Sequence, residues 1–552
     1  MKLLLLLLPI LASCLPQSPK DKVESSGEPV FDPLASQAWH LENTAQHAFS
    51  EGYAIAGEDH KIRATHLLGL TGKNIRIAIS DDAVQVAHPD LEANQLMGEH
   101  RDYTSSDPFI GDPAPQNYDD AHGTAVTGLI AAVKGNTIGS YGVAPDALFA
   151  GFNYLSSDGN GVLETILHQM DGNFNIFNYS YGIWESSISG PYDPDIANAL
   201  KLGVMNGANY VKAAGNSYIE SDTKNDLPVY VFGNANFETE QTLPYYVVVG
   251  AINAHGKRSS YSTPGSNLWI SGAGGEFGTD APAMITTDLT GCSYGYAHGK
   301  EGLTPFDKGF NELNKYCDFM NTMNGTSSAT PVISGIIALL LEANPNLSWR
   351  DVKHILAKTA DRVDYTGDNE VLTHPQSSLA LTNHTYDVKW TRNAAGNYFS
   401  NWYGFGRANA LAASLMALGY NNSQLGTYVE ETAVSSGAIN VPIPYSAVGT
   451  SHTINVASTL TIESVQVEVT VVHPDISDLG IELTSPLGTV SRLFLINSNA
   501  TDEDPSPSRV IQLLTNAFYE EAANGPWTLK ILDGRSPKGQ LASWSIKING
   551  HQ

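Results

Sequence analysis

Positive charge is what this chain has least of. Its 30 lysines and arginines face 57 aspartates and glutamates, a formal net charge of -27. Nucleic acid calls for a basic surface that neutralises phosphates, so that class of partner is excluded. The acidity fits solubility outside the cytoplasm, bound cations, or attraction of basic substrates. Cysteine is rarer still, 3 in 552 residues, too few for a scaffold built on disulfides. Past the N-terminal stretch, no run reads as long and apolar enough for a membrane-spanning helix. Length and apolar content are present instead. At 42% hydrophobic, 552 residues suffice for two or more domains with a sizeable core.

The N-terminus, MKLLLLLLPILASC, places one lysine before a leucine run and then small residues. That is the pattern of a secretory signal peptide over 1–13. Leu11-Ala12-Ser13-Cys14 resembles the lipobox of bacterial lipoproteins. The resemblance implies that Cys14 is lipidated and becomes the mature N-terminus. It also implies an extracytoplasmic protein lipid-anchored to a bacterial (outer) membrane, periplasmic or at the cell surface. The alternative is an ordinary cleavage nearby, with Cys14 incidental. Cys292 and Cys317 remain, on one glycine-rich segment. In an oxidising compartment these two are expected to pair. Closing that loop contributes roughly 3 kcal/mol.

Residues 15–31 are polar and read as a tether. From 32 to 418, short β-rich runs alternate with helical ones: IRIAIS at 75–80, HGTAVTGLIAAV at 122–133, VVVGAI at 247–252. Such alternation predicts an α/β domain with a parallel sheet. From 423 to 552 the pattern changes to short alternating strands such as SVQVEVTVV, IELTSP and SWSIKI. That predicts an all-β sandwich.

One stretch poses a question: MNGTSSATPVISGIIALLLEANP at 323–345 runs small hydroxyl residues and a proline into a helix apolar nearly all round. Such a helix belongs inside a large core. Its N-terminus offers unsatisfied N–H groups and partial positive charge. Serine there is ordinarily a helix cap. It becomes a nucleophile only with a base and an orienting group. Both occur. IRIAIS runs into Asp81 and Asp82, where parallel strands place their sites, and His122 opens the helix HGTAVTG. DDAVQVAHPDL, HGTAVTG, AAGN and NGTSSATP together resemble the signature stretches of subtilisin-like serine proteases, in that family's order.

By that resemblance Ser327 is the nucleophile, His122 the general base and then acid, and Asp81 the group that fixes the imidazole. Ser328 is the rival serine. Asn216 supplies its side-chain amide to the oxyanion hole beside the Ser327 N–H. DISDLGIELTSPLGTVSRL at 475–493, GPWTLKILDG at 525–534 and ASWSIKING at 542–550 resemble the jelly-roll P domain of kexin- and furin-like convertases. DPLASQAWHL at 32–41 resembles that family's opening segment. The combination implies polypeptide substrates cleaved after basic residues. A buried guanidinium needs carboxylate partners. The matching acids are Asp82, Glu185 and Glu238, the last two open to the reading of solvated loop acids. Ala83 in place of the family's glycine puts strict dibasic selectivity in doubt.

The loop VKGNTIGS at 133–140 resembles the subtilase calcium loop. It implies structural Ca2+ held by Val133, Asn136, Ile138 and Ser140, with Asp90 and Asp32 closing the shell. Too few residues separate Cys14 from position 32 for a subtilase propeptide, so folding is expected either to need none or to use a separate chaperone. Two rivals stay open. One is a subtilase of broad specificity. The other is a pseudoprotease or adhesion protein that binds through its P domain.

Overall fold

A computed structural model describes residues 31–105, 111–157, 163–182, 188, 190–218, 220–224, 227–298, 303–365, 371–372, 381, 383–498, 508–535 and 539–552. The expected signal peptide, Cys14 and most of the tether lie outside the described residues.

Six parallel strands form the first domain's sheet: β1 (Arg76–Ser80), β2 (Leu148–Phe152), β3 (Ile176–Tyr179), β4 (Asn209–Ala213), β5 (Tyr246–Ile252) and β6 (Ile270–Ala273). Their spatial order is β2-β1-β3-β4-β5-β6, with Ala78 of β1 opposite Ala150 on one side and Phe177 on the other. The order reverses at β1, the kind of switch point at which doubly wound sheets open a crevice. β5 is buried along its whole length, which is why VVVGAI reads as an unbroken apolar run.

Helix α1 (His122–Ala131) packs along α3 (Thr326–Ala343), and α2 (Pro194–Met205) lies by β4. Val332, Ile333, Ile336, Ile337, Leu339 and Leu340 of α3 are wholly buried. By length and hydropathy α3 would pass for a membrane span, contrary to the sequence expectation, but it is the central core helix of this domain. Next come α4 (Trp349–Thr359), closed by a Ser348–Asp351 capping box, and α5 (Ala410–Leu418). Cys292 and Cys317 form the expected disulfide.

The second domain is a sandwich of antiparallel strands. One sheet centres on Thr461–Val472 between Ser508–Thr515 and Gly539–His551, and the other on Gly525–Asp533 and Leu479–Thr484. Val465, Val467, Val469 and Val471 point into the core, while Gln466, Glu468 and Thr470 face away. This is the period of two that the sequence displays.

The two domains are joined by polar contacts with little access to water. Arg350 of α4 grips Glu463 at 2.9 Å, and His354 Nδ1 meets the Tyr519 hydroxyl at 2.8 Å. Leu514 N donates to Asn236 Oδ1 at 2.8 Å, and Asn516 Nδ2 to the Asn267 carbonyl at 2.9 Å. Backbone groups of the sandwich are thus completed by first-domain side chains and carbonyls.

Candidate active site

β1 ends at Ser80, and the chain turns at once through Asp81 and Asp82. Asp81 is fully buried, and its Oδ1 accepts from His122 Nδ1 at 2.7 Å. His122 is the first residue of α1, so the helix axis aims the imidazole. Gly123 beside it is obligatory: a Cβ there would sit 2.3 Å from the Ala83 carbonyl oxygen and 2.8 Å from Asp81 Cβ. Only a residue without a side chain lets the helix come this close to the aspartate loop.

Asp82, read from the sequence as a substrate-binding acid, has a structural task as well. Its carboxylate accepts from His122 N at 2.9 Å and Gly123 N at 2.7 Å, as well as from Ala83 N at 2.5 Å. Ala121, the local N-cap residue, makes no side-chain cap. Asp82 therefore caps α1 through space, favoured by the helix dipole, and both of its oxygens are engaged. Burial and then Asp81 push its carboxyl upward. For His122, burial alone would lower the imidazole. The Asp81 carboxylate, by charge and by hydrogen bond, and then Asp82 outweigh burial and raise it to about 9.

Ser327 lies in the first turn of α3, just after Gly325, whose φ of 94° few side-chain-bearing residues tolerate. Its hydroxyl donates to the Ser180 carbonyl at 3.0 Å, and Ser180 Oγ donates to the Ser327 carbonyl at 3.0 Å. Pro331 explains the second bond. A helical N–H at 331 would have served the Ser327 carbonyl, proline has none, and Ser180 fills the vacancy. Behind Ser180, Asn178 Nδ2 donates to its hydroxyl at 2.9 Å, and Ser334 of α3 donates to Asn178 Oδ1 at 2.8 Å. The nucleophile's backbone is thereby tied to the sheet. Ser328 is buried on the inner side of the helix, whereas Ser327 is half-exposed.

Asn216 stands exposed beyond β4, with its amide orientation fixed. Thr326 N donates to Asn216 Oδ1 at 2.8 Å and Thr326 Oγ1 at 3.1 Å. That pins the oxygen, and Nδ2 has no hydrogen-bond partner among the described residues. Asp81 and His122 are thus bonded, and Asn216 sits against the turn that carries Ser327. Among the described residues the Ser327 hydroxyl itself bonds to Ser180 and not to His122.

Glu238 is buried, with Oε1 2.8 Å from Lys212 Nζ and Oε2 accepting from Gln241 at 2.9 Å. It is a paired acid and not a free one. Glu185 lies outside the described residues. Sequence reasoning passed over Ser180 and Lys212, and noticed Thr326 and Pro331 only as part of the stretch that carries Ser327. Only the proline carried a local signal, its position inside an otherwise regular helix.

In the loop 133–140, Asp32 accepts from Gly135 N at 2.8 Å, Asn136 N at 3.1 Å and Thr137 N at 3.3 Å, which braces the turn. Asp90 is wholly buried; its Oδ1 meets Asn136 Nδ2 at 2.7 Å and its Oδ2 has no partner among the described residues. Burial raises its carboxyl to about 8. The carbonyls of Val133, Ile138 and Ser140 accept no hydrogen bond among the described residues. An orphaned carboxylate oxygen and three carbonyls without partners among the described residues are oxygen donors of the kind a hard cation takes.

The subtilase family profile matches residues 72–406, and the proprotein convertase P-domain profile matches 462–548. An extracellular serine protease of Aeromonas sobria is 36% identical over 95% of this chain and 91% of its own length. A microbial serine proteinase of Aeromonas salmonicida is 32% identical over 97% and 90%. Among solved structures, the complex of Aeromonas sobria serine protease with a chaperone superposes with a TM-score of 0.85 at 34% identity, over 94% of this chain and 95% of that one.

Proposed function

Because the chain belongs to the subtilase family of serine proteases and carries a convertase P domain, we propose that it cleaves polypeptides outside the cytoplasm through Asp81, His122 and Ser327. The Ser327 hydroxyl turns from Ser180 to His122, gives up its proton to the imidazole and attacks the scissile carbonyl. The Ser327 N–H and Asn216 Nδ2 receive the oxyanion. His122 returns the proton to the leaving amine, and water then releases the acyl group by the same steps. Asp81 keeps the imidazole in the tautomer that takes the proton on its other nitrogen. The observation that carries this reading is the 2.7 Å Asp81–His122 bond on a helix capped by Asp82. A fluorophosphonate probe should label the wild type and leave Ser327→Ala unlabelled; equal labelling ends the assignment. Peptide cleavage in that variant should fall about a millionfold, the scale established for subtilisin's own triad.

Preference for basic residues is supported by the convertase P domain and by the acidity of the chain, and profiling a peptide library decides it. The internal pairing of Glu238 and the capping work of Asp82 favour a looser preference than strict dibasic cleavage. Calcium fits the 133–140 loop, where Asp90, Asn136 and the carbonyls of Val133, Ile138 and Ser140 would hold it and Asp32 would brace the turn. The ion would supply structural charge neutralisation. Chelation should lower the thermal midpoint by several degrees, with no change in which bond is cut. Secretion is supported by the extracellular relative. Anchorage at Cys14 predicts that Cys14→Ser releases active protein from membranes. A separate folding chaperone is supported by the solved protease–chaperone complex. Full activity from residues 15–552 expressed alone in a periplasm would remove it.

A further inference from the structure

Ser180, whose carbonyl holds the Ser327 hydroxyl, is followed by Tyr181 and Gly182, which form one wall of a cavity of about 500 Å3. The opposite wall is the turn carrying Glu238, Thr239 and Glu240, and Lys212 and Tyr179 lie between. One cation is already resident. Lys212 Nζ is 2.8 Å from Glu238 Oε1 and 4.3 Å from the centroid of the Tyr181 ring. Carboxylate and aromatic face together suit a positive charge, and here they hold the protein's own. Glu238 is thereby neutralised.

Two polar groups on the same cavity are left over. The Tyr179 hydroxyl is buried without a partner among the described residues, on a residue only 2% exposed. The Glu240 carboxylate is half-buried and makes no ion pair or side-chain hydrogen bond among the described residues. Burial and the neighbouring Glu238 and Asp193 push its carboxyl upward against the pull of Lys212, the mark of a carboxylate short of a counter-ion. An acid and an orphaned hydroxyl sharing a cavity next to the nucleophile form an acceptor pair awaiting a donor-rich cation. A guanidinium, with its planar fork of five N–H donors, can serve both at once, whereas an ammonium is a point charge.

We propose that Glu240, with the Tyr179 hydroxyl, is the specificity-determining group that receives an arginine side chain of the substrate, and that Lys212 is an internal counter-ion restricting that role to Glu240 by satisfying Glu238. The inference rests on the serine-protease reading above and names the residue through which that site selects.

The test is cleavage of a positional library carrying Arg, Lys, Gln or Leu at each of the four positions before the scissile bond. It uses the full chain as wild type, as Glu240→Gln, and as the double variant Lys212→Met/Glu238→Gln, which removes the buried pair together and strands neither charge. In the wild type, arginine should be preferred at one position. In Glu240→Gln that preference should fall by about tenfold or more, while the best neutral peptide changes less than twofold and fluorophosphonate labelling is unaltered. The double variant should keep the arginine preference. The proposal is overturned if Glu240→Gln retains the preference, if all peptides lose rate alike, if the double variant loses the preference, or if the wild type shows none. A wild type whose labelling does not depend on Ser327 instead overturns the catalytic reading and leaves a distinct signature.

Discussion

In the α/β domain Asp81, Asp90, His40 and His60 are buried among apolar strands and helices, whereas the centre of the sandwich, around Val465, Leu529 and Trp544, is apolar throughout. The first domain keeps these ionisable groups away from water, Asp81 beside His122 and Asp90 beside Asn136. Burying such groups is costly unless they are paired. The sandwich buries fewer such groups and holds them in pairs outside its apolar centre: His473 Nε2 lies 3.1 Å from Asp533 Oδ2, and Glu463 pairs with Arg350 of the first domain. This division makes the second domain a brace for the first, and the contacts between them are where the comparison can be broken.

The largest effect is expected at Glu463. It pairs with Arg350 across the domain boundary, and His551 Nδ1 lies 2.7 Å from the same carboxylate. Glu463→Ala leaves a guanidinium with about a tenth of its side chain exposed, facing the carbonyls of Leu425 and Gly426 and the Tyr428 ring but no carboxylate hydrogen-bonded to it among the described residues. The expected loss is about 3–5 kcal/mol of stability, read as a fall in the thermal midpoint of the whole chain. Burial alone would push the Glu463 carboxyl up, but His551 and then Arg350 hold it below its ordinary value of 4.5. A depressed carboxylate stabilises fully above the unfolded-state value and loses that contribution as pH falls through the folded-state value. The penalty of the substitution should therefore be complete at neutral pH and shrink in acid well below pH 4.5. An unchanged midpoint at pH 7 would mean the domains stand independently.

Asn216→Ala sharpens the comparison from the other side, because it should cost activity and almost no stability. The side chain is exposed, and among the described residues its oxygen serves only Thr326. Removing one oxyanion donor lowers kcat by about 100- to 1,000-fold, a magnitude established on subtilisin itself. The check is kcat and thermal midpoint measured on one preparation. A fall in both would make Asn216 a structural link between β4 and α3.

Much of this division was legible before any coordinates. The sandwich was readable because alternation is local: Val465 to Val471 declare their faces within seven residues. The Asp81–His122 pair was readable because each member sits in a short motif of its own. The relations between motifs were not readable. Ser180 and Ser327 are 147 positions apart, and Thr326 and Asn216 are 110. No local pattern announces that Lys212 would neutralise Glu238, or that Asp82 would spend its oxygens on the helix of His122. Sequence spacing identifies which residue types are present; the fold decides which of their hydrogen-bonding capacities remain for a substrate.

Asp82 gives the smallest effect and the finest test. Its carboxylate helps hold the His122 imidazole above its ordinary 6.5. The base works only when neutral, so kcat/KM should rise with pH along a limb on the alkaline side of 6.5. Asp82→Asn removes one negative charge and so lowers the imidazole, moving that limb toward lower pH by up to about one unit. It also exchanges one acceptor for a donor facing the α1 N-terminus, at about 1 kcal/mol of stability. The two consequences separate by readout. A shifted limb shows that Asp82 tunes the base; a lower midpoint with an unmoved limb shows that it only caps the helix; and a loss confined to substrates with a basic residue next to the scissile one returns it to the substrate-binding role its sequence position suggested.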